Sequence, residues 1–279
     1  MHNVIEVLPY NPHWPRMFEE EAKLIQQVLG DNCIAVYHIG STSVPGISAK
    51  PIIDILPVVK NILEVDRVTS EMENLGYEVK GEYGIAFRRY FQKGKDKRTH
   101  NVHVYEESDP EVSRYLKFRD WMRSHEEDAK AYSNLKMELA TKFPNDILKY
   151  CFGKDAFVAE IDAKDGFSGW RMVKALTDRE WAAVHALRQQ FYAESSDPFN
   201  DIFNHPEHIH FVFYNNSEII GYAHLQLLPE QNAALQMIII DERYRHLGFG
   251  DKFLKLCERW LSHQDKKNVT QYPNVEHYL

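Results

Sequence analysis

Cysteine is scarce in this 279-residue chain: Cys33, Cys151 and Cys257 stand far apart and are odd in number. That spacing offers neither a disulfide framework nor a CxxC zinc pattern, and a reducing, cytoplasmic setting is the expectation. No run of about 18 consecutive apolar residues occurs, so no membrane-spanning helix is expected. The opening Met1-His2-Asn3-Val4-Ile5-Glu6 has no basic, apolar leader pattern. Positive charge is also in deficit. The net charge is −8 and the pI about 6.0, which excludes broad affinity for nucleic acid or anionic membranes, since both need clustered cations. Thirteen glycines and twelve prolines exclude collagen-like composition, and no repeat or low-complexity tract is present.

What remains is ordinary globular material, 44% apolar and 27% charged, long enough for two domains of about 150 residues each. The stretch Ala163-Lys164-Asp165-Gly166-Phe167-Ser168-Gly169 is small and polar, and the boundary is placed there, giving domains 1–164 and 165–279. Neither half is a charged tail: 22 basic and 26 acidic residues precede the boundary, 11 and 15 follow it.

In the first half, apolar residues Met17, Phe18, Ala22, Ile25 and Val28 recur at helical spacing and predict a helix over 15–29. Strands are expected over 33–39 and 51–59, a helix over 62–75 capped by Gly76, short strands over 77–90, and a strand over 101–106. A long helix over 110–141 then leads to a turn at 143–145. In the second half, a strand over 170–176 precedes a helix that opens on Thr177 with Glu180 three residues on. Strands over 208–214, 219–228 and 233–240, a helix over 251–261 and a last strand over 267–271 follow.

Two stretches carry chemistry. The first is His38-Ile39-Gly40-Ser41-Thr42-Ser43 followed by Lys50-Pro51-Ile52-Ile53-Asp54-Ile55. A Gly-Ser-Thr turn at a strand end leaves peptide N–H groups and hydroxyls to surround phosphate oxygens, with nothing at Gly40 to block them. Lys50 adds positive charge. Asp54 is an acid in an apolar strand, where an unpaired charge is costly and a cation relieves it. His103 joins Asp54 as a candidate ligand for a divalent metal, with His38 and His100 as further candidates, although His100 and His103 have opposite strand parity. Arg88, Arg89, Lys93, Lys95, Lys97 and Arg98 are a charge run that either contacts phosphates or is simply solvated.

This run resembles the GrpB family of bacterial proteins, in the nucleotidyltransferase-fold superfamily, over about residues 3–160. The resemblance implies a mixed sheet with helices, a nucleotide held by Gly40, Ser41, Thr42 and Lys50, and Asp54 as a catalytic, metal-binding acid. The superfamily's second acid is replaced by Leu56, which weighs against transfer chemistry that clamps oxygens between two cations.

The second stretch is Met237-Ile238-Ile239-Ile240 leading to Arg245-His246-Leu247-Gly248-Phe249-Gly250, an apolar strand running through a glycine turn into a helix start. Exposed N–H groups and the helix dipole suit a pyrophosphate there; taken alone, the motif equally describes a tight connection. With its surroundings it resembles the GNAT acetyltransferases over about 169–279. By that resemblance Ile238 and Ile240 supply main-chain groups to acetyl-CoA, and Arg245, His246, Leu247, Gly248, Phe249 and Gly250 hold its pyrophosphate. Asn274-Val275-Glu276-His277-Tyr278 resembles the family segment whose tyrosine protonates the departing thiolate, so Tyr278 is the candidate acid. His224, or a water held by Glu230, is the candidate base, whereas Gln226 and Gln236 do not titrate. The family continues past this tyrosine into a helix and a hairpin, so a short domain is expected, with its open sheet edge available for a homodimer.

The chain is therefore read as α/β (α+β): a nucleotidyltransferase-like mixed sheet, then a GNAT-like one. Acetyl-CoA-dependent N-acetylation of a small or protein amine is expected. Nucleotide or phosphoryl transfer at the first site, or a non-catalytic sensor of nucleotide or CoA, are the alternatives.

Overall fold

The computed structural model describes residues 4–95, 97–191 and 205–271. Two compact units emerge, Met1–Tyr83 with Phe87–Gly169, and Gly84–Ala86 with Trp170–Leu279. No helix among the described residues is long and apolar enough to cross a membrane.

The first unit opens with α1 (Trp14–Leu29), which places Pro15 in its first turn, where the missing N–H costs nothing. Trp14, Ala22, Ile25 and Leu29 are buried along one face. There follow β1 (Cys33–Ile39), β2 (Ile53–Val59), α2 (Ile62–Asp66), α3 (Thr69–Asn74), β3 (Tyr77–Val79), β4 (Arg89–Lys93) and β5 (His100–Glu106). The helix expected over 62–75 is thus two short ones, the first capped by the Asn61 side chain on Leu63 N–H at 2.9 Å. The sheet order is β1-β2-β5-β4-β3, with β2 and β5 parallel and the other neighbours antiparallel.

Strand alternation sorts this sheet into two chemistries. Ile53, Ile55, Phe91, Val102 and Val104 pack with Trp14, Ile25 and Leu29 of α1 as the main core. Full burial of each such side chain stabilises by roughly 1.5–3 kcal/mol. The intervening positions Asp54, Tyr90, Gln92, Asn101 and His103 lie on the opposite face, in register across β2, β5 and β4.

The long helix expected over 110–141 breaks into α4 (Pro110–Ser124) and α5 (Glu126–Lys142). His125 leaves the helical region at φ −123°, ψ 88°, and its ring stacks on Trp121 at 3.7 Å. Glu126, Glu127 and Asp128 then fill the first turn of α5, where negative charge complements the helix dipole. Beyond the turn at 143–145 come α6 (Ile147–Phe152) and α7 (Asp155–Lys164), two helices that the periodicity did not predict. Val44 and Ile47 pack with Met122, Ala129, Tyr132 and Ile161, so α4, α5 and α7 pin the loop that follows Gly40.

The second unit contains β6 (Trp170–Lys174), α8 (Asp178–Phe191), β7 (His208–Asn215), β8 (Glu218–Leu227), β9 (Asn232–Ile240), α9 (Phe249–His263) and β10 (Asn268–Gln271). Thr177 and Glu180 form the expected reciprocal cap: Glu180 N–H donates to Thr177 Oγ1 at 3.2 Å, and Leu176 and Thr177 N–H donate to Glu180 Oε2. The sheet order is β10-β9-β8-β7-β6, antiparallel except for the β9–β10 pair. Val184 and Leu187 of α8 bury one face with Tyr222, Met237 and Ile239. On the other face Phe253 of α9 stacks on Phe213 at 4.6 Å and Trp260 meets Phe211 edge-on at 4.9 Å.

One irregularity divides β9. Leu225 pairs with Leu235 and His224 with Met237, so Gln236 is an extra residue, a β-bulge.

Candidate functional site

In the first unit β1 ends at Gly40, whose φ of 69° and ψ of −174° suit glycine alone. The reason is visible in its neighbour: a Cβ at Gly40 would stand 2.5 Å from Asp54 Oδ2. Gly40 therefore lets the turn sit directly on the carboxylate. Ser41–Ser43 form a single 3-10 turn. The Ser41 hydroxyl meets that of Tyr132, and Ser43 O accepts from the Arg123 guanidinium at 2.8 and 3.1 Å. Thr42 points inward instead: its hydroxyl donates to Ile52 O at 3.3 Å and bonds His38 Nε2 at 3.0 Å. Only its main chain is left for a ligand.

Asp54, with 28% of its side chain exposed, sits at the end of a polar chain across the sheet face. Arg98 donates to Gln92 Oε1, Gln92 to Tyr90 Oη, Tyr90 to Asn101 Oδ1, and Asn101 Nδ2 to Asp54 Oδ1, each at 2.8–3.0 Å. His103 Nε2 lies 3.8 Å from Asp54 Oδ1. Burial alone disfavours the Asp54 charge, but His103, Asn101 and Lys50 outweigh it and hold the carboxyl below its ordinary value. Burial likewise depresses His103, whose Nδ1 has no partner.

The sequence offered four metal donors, and the structure gathers two. His103 joins Asp54, but His38 lies on the α1 face, stacked on Phe18 at 4.7 Å, with burial lowering its pKa to about 4. His100 lies on the α1 face too, beside Thr99. Among the described residues no group of three or more His, Cys, Asp or Glu could hold a metal ion. Leu56, where a second acid was sought, is fully buried. One carboxylate oxygen already engaged by Asn101, and one imidazole, fall short of the donor set a divalent ion needs.

Cations gather instead, one from the loop before β2 and two from the helical segment far downstream in the chain. Lys50 Nζ lies 5.0 Å from the centroid of the Tyr150 ring, and Lys154 Nζ 4.7 Å from the same centroid. Lys136, 2% exposed, donates to Ser48 O and sits 4.7 Å over the Tyr132 ring. Burial, then the nearby Lys154, lowers the Lys136 pKa to about 7. Lys136, Lys154, Tyr90 and Asn101 were not foreseen. Tyr90 and Asn101 carry a signal, since polar residues alternate along β4 and β5; the two lysines carry none, because nothing local ties them to Asp54.

In the second unit the glycine turn is open. Gly248 caps α9 at φ 78°, with nothing within 4 Å of where a Cβ would be. The N–H groups of the first α9 turn have no intrahelical acceptors. His246 also takes a positive φ, 62°, and Leu247 is 65% exposed. Arg245 Nε donates to Ile240 O at 2.9 Å, so that carbonyl is engaged by the turn itself. Phe249 faces inward against Phe213 and Tyr244. A cavity of about 390 Å³ opens beside the turn, lined by Trp170, Gly248, Asp251, Lys252, Lys255, Leu256 and Arg259.

The described part of β10 pairs with β9 from Asn232 to Leu235. From Gln236 to Ile240 that edge of β9 has no strand beside it among the described residues. On the α8 face Gln236 Nε2 donates to Gln226 Oε1 at 2.7 Å, and Gln226 pairs across the ladder with His208. His208 Nδ1 and His224 Nε2 are 2.7 Å apart. His224 is fully buried, and burial with the neighbouring His210 and His208 lowers its pKa to about 2. A ring so averse to protonation is a poor base, which corrects the expectation for His224. Glu230 lies at the β8–β9 turn, its backbone at φ 56°, at the far end of β9 from the glycine turn. Tyr278 lies outside the described residues.

Comparison with known proteins fits this division. The GrpB protein family model matches residues 4–164 and the Acetyltransferase (GNAT) family model residues 170–276. The UPF0157 protein YqkA of Bacillus subtilis is 48% identical over 162 residues, 57% of this chain and 47% of YqkA. PA4798 of Pseudomonas aeruginosa, another UPF0157 protein, is 42% identical over 161 residues, 56% of this chain and 66% of that protein. The matches thus span about half to two thirds of these relatives. The crystal structure of the conserved protein GrpB from Enterococcus faecalis is similar at 46% identity and a TM-score of 0.56, covering 57% of this chain and 96% of that one.

Proposed function

Because this chain belongs to the GrpB family and carries a GNAT domain after it, we propose that the second unit is an acetyl-CoA-dependent N-acetyltransferase. The observation that carries the reading is that, among the described residues, β9 has no strand beside its edge from the Gln236 bulge to Ile240 and leads into the glycine turn. Its residues fit the cofactor. Around Ile238 the edge of β9, unpaired among the described residues, offers strand-like pairing to the amides of a pantetheine arm. Unengaged N–H groups from His246 to Gly250 face the pyrophosphate, with no side chain at Gly248 in the way. Lys252, Lys255 and Arg259 line the adjoining cavity with the charge a further phosphate needs. When bound, acetyl-CoA supplies the thioester carbonyl that the amine attacks.

The chain must take the proton from that amine. His208 is the better base. With its Nδ1 proton directed at His224 Nε2, its own Nε2 lone pair faces outward, and Gln226 links its position to the bulge. His224 is then a positioning residue. Tyr278 remains the proposed acid for the thiolate. Thermal unfolding with acetyl-CoA, followed by acetyl transfer to a panel of amines, tests the reading: no stabilisation and no transfer would overturn it.

In the first unit the closeness of Gly40 to Asp54 favours a second reading, that Gly40, Ser41, Thr42 main chain and Lys50 bind a phosphorylated ligand. Leu56 favours binding over two-metal transfer.

A further inference from the structure

The half-buried lysines around Tyr150 lack a direct anionic partner. Neither Lys50 nor Lys154 has an ion pair or a side-chain hydrogen bond among the described residues; both point at one tyrosine ring. Burial and the neighbouring Lys154 make Lys50 harder to charge, whereas the groups around Lys154 keep it protonated, and Asp54 is the carboxylate that both feel. Asp54 is already shared with Asn101 and His103. Lys136 adds a third ammonium group, wholly buried, whose acceptor is the neutral Ser48 carbonyl. A ring face attracts a cation by about 0.5–2 kcal/mol, well below the several kcal/mol that desolvating an unpaired ion costs. Positive charge kept in this position at a net cost is the mark of a site completed by an anion.

We propose that the Asp54 cleft is a metal-independent site for a phosphate-bearing ligand, in which Lys50 and Lys154 supply the charge that a divalent cation supplies elsewhere. The inference rests on the reading of the first unit as a phosphate binder, and it adds what replaces the metal. Oxygens of the ligand leave the Tyr150 ring as a weak partner and become the strong one. The Ser41 turn, pinned by Arg123 on Ser43 O, caps the other side with its N–H groups. Asp54 then orients the lysines through its own charge, and the His103–Asn101 contacts keep it ionised.

The test is isothermal titration of the full chain with sodium pyrophosphate, once in EDTA and once with excess magnesium. Binding in EDTA, weakened about 30-fold or more in Lys50→Met and Lys154→Met as expected for truncating one side of a buried charge pair, is the expected result. Binding only with magnesium, lost in Asp54→Asn and kept in Lys154→Met, overturns the inference and leaves the phosphate-binding reading standing. No binding under either condition overturns both. The unliganded variants give a second readout: Lys50→Met should melt at or above the parent temperature, because it removes a charge that burial and Lys154 both disfavour. A clear drop in melting temperature would show a lysine that serves packing alone, and would also overturn the inference.

Discussion

The anion sites proposed for the two units are built by opposite means. In the first, the turn at Gly40 leans on a carboxylate and the positive charge comes from side chains, Lys50 of the following loop, Lys136 of α5 and Lys154 of the α6–α7 turn. In the second, the turn at Gly248 faces open space and the donors are peptide N–H groups at a helix start, with lysines at the margin. The same residue type therefore does different work. Gly40 makes room for a neighbouring side chain; Gly248 leaves the space beside it open. Sites built from main chain depend on backbone geometry and change little with pH, whereas sites built from buried ammonium groups depend on protonation and ionic strength.

Substitution at each glycine breaks this contrast most directly. Gly248→Glu puts a negative side chain at the anion position and strains φ 78°, so stabilisation by acetyl-CoA should vanish while the response of the first unit to pyrophosphate persists. Thermal unfolding with each ligand separates the two outcomes, and loss of both responses would deny that the sites are independent. His208→Ala should lower kcat by about 10²-fold with little change in KM for acetyl-CoA, the typical share of a general base. In the parent enzyme the rate should fall as pH drops through the His208 pKa, which burial holds below its ordinary value; an unchanged pH profile in the variant would remove His208 from the proton path. Gly40→Ala drives a methyl group into Asp54 Oδ2 and should cost about 1–3 kcal/mol, as overpacking does, read by urea unfolding of the first unit.

The smallest effect concerns Lys136. Its folded pKa of about 7 lies below the ordinary lysine value near 10.5. Between those values the unfolded chain binds more protons, so stability should rise with pH from about 7 towards 10. Anion binding should weaken over the same range as the ammonium group is lost. Lys136→Met should flatten both slopes; unaltered slopes would place the titration elsewhere.

The chemistry that is local in sequence was the part legible there. Gly40, Ser41 and Asp54 are joined by a short loop, and the Gly40–Asp54 contact is what that spacing serves. The strands, α1, α9 and the Thr177 cap were likewise written in alternation, helical spacing and capping residues. Thr42 misled, because a hydroxyl beside Ser41 looks available until His38 and Ile52 claim it. The break at His125 was signalled by three acids at the start of α5 and was hidden by helical spacing on both sides. Lys136 reaches Ser48, and Lys154 comes under the charge of Asp54, only through the packing of α5 and the α6–α7 turn onto the Gly40 loop, which no local pattern encodes. His208 was missed because its value lies in its contact with His224, which sits beside the bulge on the neighbouring strand.

The bulge at Gln236 has a consequence for how β9 can change. Ala233 and Leu235 share one sheet face with Leu227 and Leu225, whereas Met237 and Ile239, also odd-numbered, share the other with His224 and Tyr222. The strand is in effect written in two reading frames, joined at one residue. Deleting that residue would bring Leu235 and Met237 into ordinary alternation, each on the face it already holds, so the ladder with β8 would survive and only the kink, with the reach of Gln236 to Gln226, would be lost.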